Sequence, residues 1–339
     1  MAESLPRALQ PPVAVALAKL VKTFPGPNAL PGGLNVEPKW DGFRTTASND
    51  GGTVTMWSRQ GKELTRILPD AAAALAEQLP PGVVLDGEAV IWNRGRLDFD
   101  ALQRRMVTSR AALPAVASEL PASFVAFDVL AVAGQDTRAV PFSGRRQLLE
   151  ELARDWAAPL HLSPITTDVD LAKIWLRDLP ATGIEGLVFK GGAQSYEAAR
   201  IWSKLKHKDV WDVVCAAVIG PVSQPQAIIA GLPLGGELKI VGRSTALSTK
   251  VQRELGRYLH AAGHGHHWPE EISESSLNRF SKDKGPVRLT LVEPFVVEIS
   301  ADVAWSGTSF RHPVGYRRSR PELDPANVGV PPELNNRHR

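Results

Sequence analysis

A single cysteine, Cys215, occurs among the 339 residues, so no internal disulfide can staple the chain. The thiol sits in DVVCAAV, an apolar setting that suits a buried strand position in a reducing cytoplasm. Also missing is any run approaching the ~20 apolar residues that span a bilayer, so no membrane partner is expected. The opening MAESLPRALQPP has no basic start followed by an apolar run and does not read as a secretory signal. There is no internal repeat and no long low-complexity segment. GLPLGG at 231–236 lacks a following Gly-Lys-Ser/Thr, so it reads as a loop or hairpin rather than a phosphate cradle. HGHHW at 264–268 has no second ligand group at a zinc-like spacing and reads as a solvated loop.

What is present is enough for real cores: 43% hydrophobic and 22% charged residues, close to globular averages. The length is comfortable for two domains. Net charge is only +3, but RIWSKLKHK at 200–208 and RHPVGYRRSR at 311–320 concentrate basic residues. Such clusters can meet phosphates, although a solvated basic face would look the same.

Short apolar runs recur from Val36 to Lys208, among them TVTMWS, VVLDGEAVIW, SFVAFDVLAV and IEGLVFK. Their β-branched and aromatic content reads as strands. Helical spacing marks 70–79 and 144–156. The mixture predicts an α+β domain with antiparallel sheets over 1–208. A linker at 207–212 then leads to strand-like WDVVCAAVIG, ELKIVGRS and VRLTLVEPFVVEIS, with one helix at 248–262. That pattern predicts a small β-barrel of the OB-fold kind over 209–325. The first dozen residues and the chain beyond about Pro321 are expected to fray, with 326–339 a flexible tail.

The stretch EPKWDGFR at 37–44 raises the chemical question. A lysine amine attacks only once deprotonated, and its ordinary pKa is ~10.4. Burial or neighbouring cations such as Lys204 and Lys206 would lower that value. Asp41-Gly42 offers a tight turn, and Arg44 can fork onto oxygens. Taken alone, KWDGFR is equally a surface turn. It is followed in order by SRQGKEL at 58–64, LDGEAVIW at 85–92, FVAFDVL at 124–130, IEGLVFK at 184–190, WSKLKHK at 202–208 and RHPVGYRRSRPE at 311–322.

This ordered series resembles that of the covalent nucleotidyltransferases, which include DNA ligases, RNA ligases and mRNA capping enzymes. In detail it is similar to the short ATP-dependent DNA ligases of actinobacteria, the C type, which have no separate N-terminal DNA-binding domain. The resemblance covers nearly the whole chain. It implies an adenylation (nucleotidyltransferase) domain, then an OB-fold domain, with Lys39 attacking ATP to carry AMP. Glu37 would contact the adenine edge, Arg44 and Glu88 the ribose, and Phe127 would stack on the base. Arg59 would contact phosphate, and Lys204 and Lys206, on one face of a strand, would clamp the α-phosphate. Glu185 would help hold Mg²⁺, or Mn²⁺ in its place, and Arg311, Arg317, Arg318 and Arg320 would meet pyrophosphate or DNA phosphates. The implied partner is nicked duplex DNA, met by a cytoplasmic, nucleoid-associated monomer working beside other DNA-repair proteins. An RNA ligase or capping-type enzyme, or an inactive nucleic-acid-binding relative, is the alternative. On residue chemistry alone, Asp86 reads as a turn or edge-strand residue.

Overall fold

The computed structural model describes residues 4–263, 265–277, 285–302 and 305–331. They form two compact units, Met1–His207 and Lys208–Arg339.

In the first unit, β1 is Ala18–Leu20, β2 Leu34–Pro38, β3 Phe43–Asp50, β4 Thr53–Ser58, β5 Val83–Asn93 and β6 Arg96–Leu97. Then come β7 (Ala122–Val132), β8 (Gln135–Asp136), β9 (Leu160–Leu162), β10 (Gly186–Gly191) and β11 (Trp202–Lys206). Helices α1 (Pro69–Gln78), α2 (Phe99–Val107), α3 (Leu113–Glu119), α4 (Phe142–Leu152) and α5 (Val169–Asp178) are interleaved. One sheet has the order β1-β11-β10-β2, the other β4-β3-β5-β7-β8 with β6 on β5 and β9 on β7. Pairing is antiparallel except for β1 with β11 and β7 with β9.

Alternation along β10 decides which face does what. Leu187 and Phe189 are buried with Val36 and Leu205, against Ala172, Trp175 and Leu176 of α5. Val188 and Lys190, one residue out of step, point to the opposite face. In the larger sheet Leu85, Ala89 and Ile91 of β5 pack with Ala71, Ala74 and Leu75 of α1. Sequence periodicity did not bring out α2 or α5, yet each starts at an aspartate cap. Asp98 accepts from the Ala101 N–H, and Asp168 from those of Asp170 and Leu171.

The second unit contains β12 (Asp209–Ile219), β13 (Ala227–Leu234), β14 (Glu237–Arg243), α6 (Thr249–Leu255), β15 (Glu271–Ser273), α7 (Glu274–Leu277) and β16 (Pro286–Arg288). It ends with β17 (Thr290–Ala301), β18 (Trp305–Ser306), β19 (Ser309–Phe310) and β20 (Gly315–Ser319). The antiparallel order β14-β13-β12-β17-β20 would leave two edges. A bridge between Ser244 and Val314, just past β14 and just before β20, joins those edges and closes a barrel. Gly235 and Gly236, at φ 64° and 83°, turn the β13–β14 hairpin. GLPLGG is therefore hairpin, as its composition suggested. Cys215 is fully buried in the barrel core, which pushes its thiol pKa up to about 12.

Several expectations need correction. Residues 4–12 do not fray, and residues 1–3 lie outside the described residues: Leu5 and Leu9, with Val13 after them, are buried beside Val84, Leu130 and Trp202. A 3-10 turn at Arg7–Leu9 carries Leu9 inward, and the Leu5 N–H donates to Asp50 Oδ1 at 2.9 Å. The proposed linker 207–212 is mostly strand, since β12 begins at Asp209, opposite Ala301. Helix α6 stops at Leu255, short of the expected 262. The start of the tail is packed, with Val328 buried and Val330 against the barrel core; residues 332–339 lie outside the described residues. His264 of the HGHHW stretch also lies outside them, while Trp268 enters the core and its indole N–H donates to Leu238 O at 2.6 Å.

If the N-terminal segment is core, Leu9→Ala will lower the unfolding free energy of the protein by about 2–4 kcal/mol, read from urea midpoints. A loss below about 0.5 kcal/mol, ordinary for a surface position, would return the segment to a frayed terminus.

Candidate nucleotide site

Lys39 comes immediately after β2, and β2 lies against β10. The Lys39 N–H donates to Gly186 O at 2.8 Å, and the Glu185 N–H donates to Lys39 O at 2.9 Å. This local ladder sets the two side chains together, and Lys39 Nζ forms an ion pair with Glu185 Oε2. Across β10 the register places Lys206 opposite Gly186 and Lys204 opposite Val188, which in turn faces Glu37. Lys206 Nζ is 3.7 Å from the same Glu185 oxygen. Backbone approach is close here. A Cβ on Gly42 would lie 2.2 Å from Ala89 O, and one on Gly186 2.1 Å from Leu205 O.

A cleft of about 540 Å³ opens beside this sheet, lined by Glu37, Lys39, Arg44, Arg59, Glu88, Phe127 and Lys204. Seven of the residues singled out in the sequence thus share one cavity, with Glu185 and Lys206 adjoining through Lys39. Arg59 is exposed on the wall, its N–H bonded to Arg44 O. Lys190 and Arg200 also line the cleft and were not singled out. The signal for Lys190 was its place in IEGLVFK, in step with Val188.

Arg44 is gripped by Asp86, Nε to Oδ1 at 2.6 Å and Nη2 to Oδ2 at 2.5 Å. Asp86 is fully buried, so its reading as a turn or edge-strand residue is corrected: it lies mid-sheet, opposite Thr46 and Asp128. The β5–β7 register shifts between Asp86 and Gly87, pairing Asp86 with Asp128 and Gly87 with Ala126. Phe127 is the extra residue of that irregularity, a device that re-aims a side chain at sheet sites. Its ring lies 4.6 Å from Arg44 Cζ and 4.8 Å from Lys190 Nζ. Lys190 is buried and donates to Glu37 Oε1 at 3.0 Å and to Phe127 O at 2.7 Å.

Electrostatics correct one further expectation. Burial alone would depress the Lys39 pKa, but Glu185, and after it Glu88 and Asp41, outweigh burial and raise it. Without nucleotide Lys39 is held as a cation. Lys204 goes the other way, depressed by burial and then by Lys39 and Lys206. Burial lifts Glu37 despite Lys190 and Arg146. It lifts Glu88 further, to about 8, despite Arg44 and Lys39.

The C-terminal arginines do not form the common cationic patch expected of them. Arg311 is buried. Arg318 pairs with Glu298 at 2.8 Å, and Arg320 with Asp212 at 3.1 Å and Glu322 at 2.5 Å. Glu298 and Asp212 stand on neighbouring strands, out of sight in the local sequence, whereas Glu322 follows Arg320 by two residues. Arg317 is exposed.

The family described as the ATP dependent DNA ligase domain matches residues 14–206. The chain belongs to the ATP-dependent DNA ligases. DNA ligase C2 of Mycolicibacterium smegmatis is 33% identical to this ligase over 333 residues, 93% of this chain and 92% of that protein. DNA ligase C of Mycobacterium tuberculosis is 32% identical over 338 residues, 94% of this chain and 92% of its own length. Among solved structures, a chain from work on Lig E DNA ligases covers 90% of this one and 99% of itself. Its TM-score of 0.53 at 18% identity shows the shared fold. The first unit is thus a nucleotidyltransferase domain and the second an OB-fold, and the enzyme uses ATP to join DNA.

Two outcomes follow from the site's charges. In the nucleotide-free ligase, Glu185→Gln removes the main charge raising the Lys39 pKa. Modification of Lys39 by acetic anhydride, followed by peptide mass analysis, will then begin at lower pH than in the parent; an unmoved profile would refute the ion-pair account. Glu88 is protonated when folded up to about pH 8 but only to about 4.5 when unfolded. Folding therefore takes up a proton in that window, and the parent loses stability as pH rises through it. The melting temperature of Glu88→Gln will gain on the parent from pH 4.5 to 8; a constant difference would show that Glu88 is not perturbed.

Proposed function

We propose that Lys39 is the nucleophile of nick sealing and that the cleft holds ATP with its base toward Glu37 and Phe127 and its α-phosphate toward Lys204 and Lys206. The observation that carries this reading is the ion pair of Lys39 with Glu185, set beside a cleft that Lys39 lines together with Glu37, Glu88, Phe127 and Lys204. The amine attacks the α-phosphorus, the bond to the β-phosphate oxygen breaks, and pyrophosphate leaves a lysyl-AMP. AMP then passes to the 5′-phosphate at a nick in duplex DNA. Finally the 3′-hydroxyl attacks that phosphate, the backbone is joined and AMP departs. Each step is a phosphoryl transfer, which needs alignment and charge neutralisation more than acid–base work.

Each side chain has a matching task. A carboxylate at Glu37 accepts from the adenine amino group and repels a guanine carbonyl. The Phe127 ring offers a stacking face worth about 1–3 kcal/mol per base, once Arg44 makes room. Arg44 and Glu88 serve the ribose, and Arg59 and Arg317 are exposed for phosphates. Once Glu185 ceases to face the amine, burial and the neighbouring lysines favour neutral Lys39.

The donor set fits a divalent ion carried in by the nucleotide. Among the described residues no three His, Cys, Asp or Glu cluster as a protein cage, and Mg²⁺ is commonly held by one or two carboxylates with substrate phosphates and water. Glu185 would hold Mg²⁺ or Mn²⁺, which would neutralise phosphate charge. Nicks left by repair and replication are the breaks that such a site serves.

Incubation with α-labelled ATP and Mg²⁺ will leave label on the denatured parent protein and none on Lys39→Ala. Lys204→Ala and Lys206→Ala will each slow labelling at least 100-fold, the usual scale for losing a group that stabilises transition-state charge. The parent will seal a nicked DNA duplex. Label persisting on Lys39→Ala would move the nucleophile elsewhere.

A further inference from the structure

Tyr196 belongs to no motif quoted above and lies between β10 and β11, yet it is buried behind the cleft. Its phenol donates to Asp86 Oδ2 at 2.5 Å and accepts the Ala16 N–H at 3.0 Å. Arg44 closes the circuit, gripping Asp86 and donating through Nη2 to Ala16 O at 3.2 Å. Four groups are thus joined in a ring in which every donor has an acceptor. Ala16 is bound at both its N–H and its C=O. On either side of it, Ala14, Val15, Leu17 and Ala18 line the cleft. The next residues continue the hold: the Leu17 N–H donates to Ala199 O, and Ala18 pairs with Trp202. The Tyr196 ring meets Trp202 edge-on at 5.8 Å, and Trp202 meets Phe127 edge-on at 6.2 Å.

We infer that Tyr196 is a positioning residue for the nucleotide: its hydroxyl fixes Arg44 and the Ala14–Ala18 segment together, making the N-terminal strand a working wall of the ATP cleft. The inference rests on the proposed placement of ATP in this cleft. Neither function follows from packing alone. A ring at position 196 could fill the space between Asp86 and Trp202 without an oxygen, but only a hydroxyl can accept from Ala16 while donating to Asp86. Removing it leaves the Ala16 N–H and one Asp86 oxygen without that partner, and the Asp86 carboxylate that grips Arg44 loses one of the bonds that hold it in place.

The test is Tyr196→Phe, which keeps the ring and removes the oxygen. Self-adenylation will show a KM for ATP raised about tenfold, as loss of one hydrogen bond to a charged group implies, with the maximal rate within about twofold. The preference for ATP over 2′-deoxy- and 3′-deoxy-ATP will shrink, because Arg44 is no longer set on the ribose. Amide hydrogen exchange in the peptide spanning residues 14–17 will accelerate. These readouts separate positioning from loss of fold, which would lower the maximal rate and leave sugar preference unchanged. A KM within twofold of the parent, with unaltered sugar preference, overturns the inference. Should the variant melt below assay temperature, Ala16→Pro removes the other end of the same hydrogen bond and carries the same expectations and the same overturning result. If the parent itself takes no label from ATP, the nucleotide reading fails, an outcome distinct from either.

Discussion

One ion pair governs the first unit: the Lys39 ammonium against the Glu185 carboxylate. Everything that makes Lys39 usable is arranged around it. Pairing of β2 with β10 brings the two together, β11 sets Lys206 against the same oxygen, and α5 holds the sheet from behind. Burial by itself would favour the neutral amine, and Glu185 is the first of the charges that oppose it. Paired, Lys39 is held as a cation.

Around this pair the cleft is a mosaic of compensated charge. Asp86 with Arg44, Glu37 with Lys190 and Asp128 with Arg145 are all buried pairs, the last at 2.7 Å with no exposure on either side. Such pairs add little net stability, since desolvation offsets much of their attraction, but losing one partner is costly. Their value is directional. The first two fix the angle of Arg44, Glu37 and Lys190, which line the cleft, and a hydrophobic replacement of equal volume could not do that.

Much of this was legible in sequence because chemistry of this kind needs particular residues at short spacing. Lys39, Glu88, Phe127, Glu185, Lys204 and Lys206 lie in compact stretches, and the structure gathers them as expected around one cleft. Strands were readable from β-branched runs, and the barrel from their number. What was not legible is what depends on partners distant in the chain. Asp86 looked like a strand-edge polar residue because nothing nearby announces Arg44. Tyr196 was silent for the same reason, its partners being Asp86 and Ala16. Arg318 and Arg320 looked free because Glu298 and Asp212 come into range only when the barrel forms. The register shift that turns Phe127 toward the cleft has no signature in FVAFDVL at all.

The pairing of β1 with β11 has a consequence for biosynthesis. Ala16 and Tyr196 are separated by 180 positions, so the N-terminal segment leaves the ribosome long before the residues that receive it exist. At ordinary elongation rates of about 5–20 residues per second, that interval is roughly 10–40 s. Until then Leu5, Leu9 and Val13 have only part of their burial site, and the nucleotide cleft lacks a wall. The cleft of the nascent first unit is therefore finished only when its last strand emerges, so the oldest part of the chain is held in place by the newest.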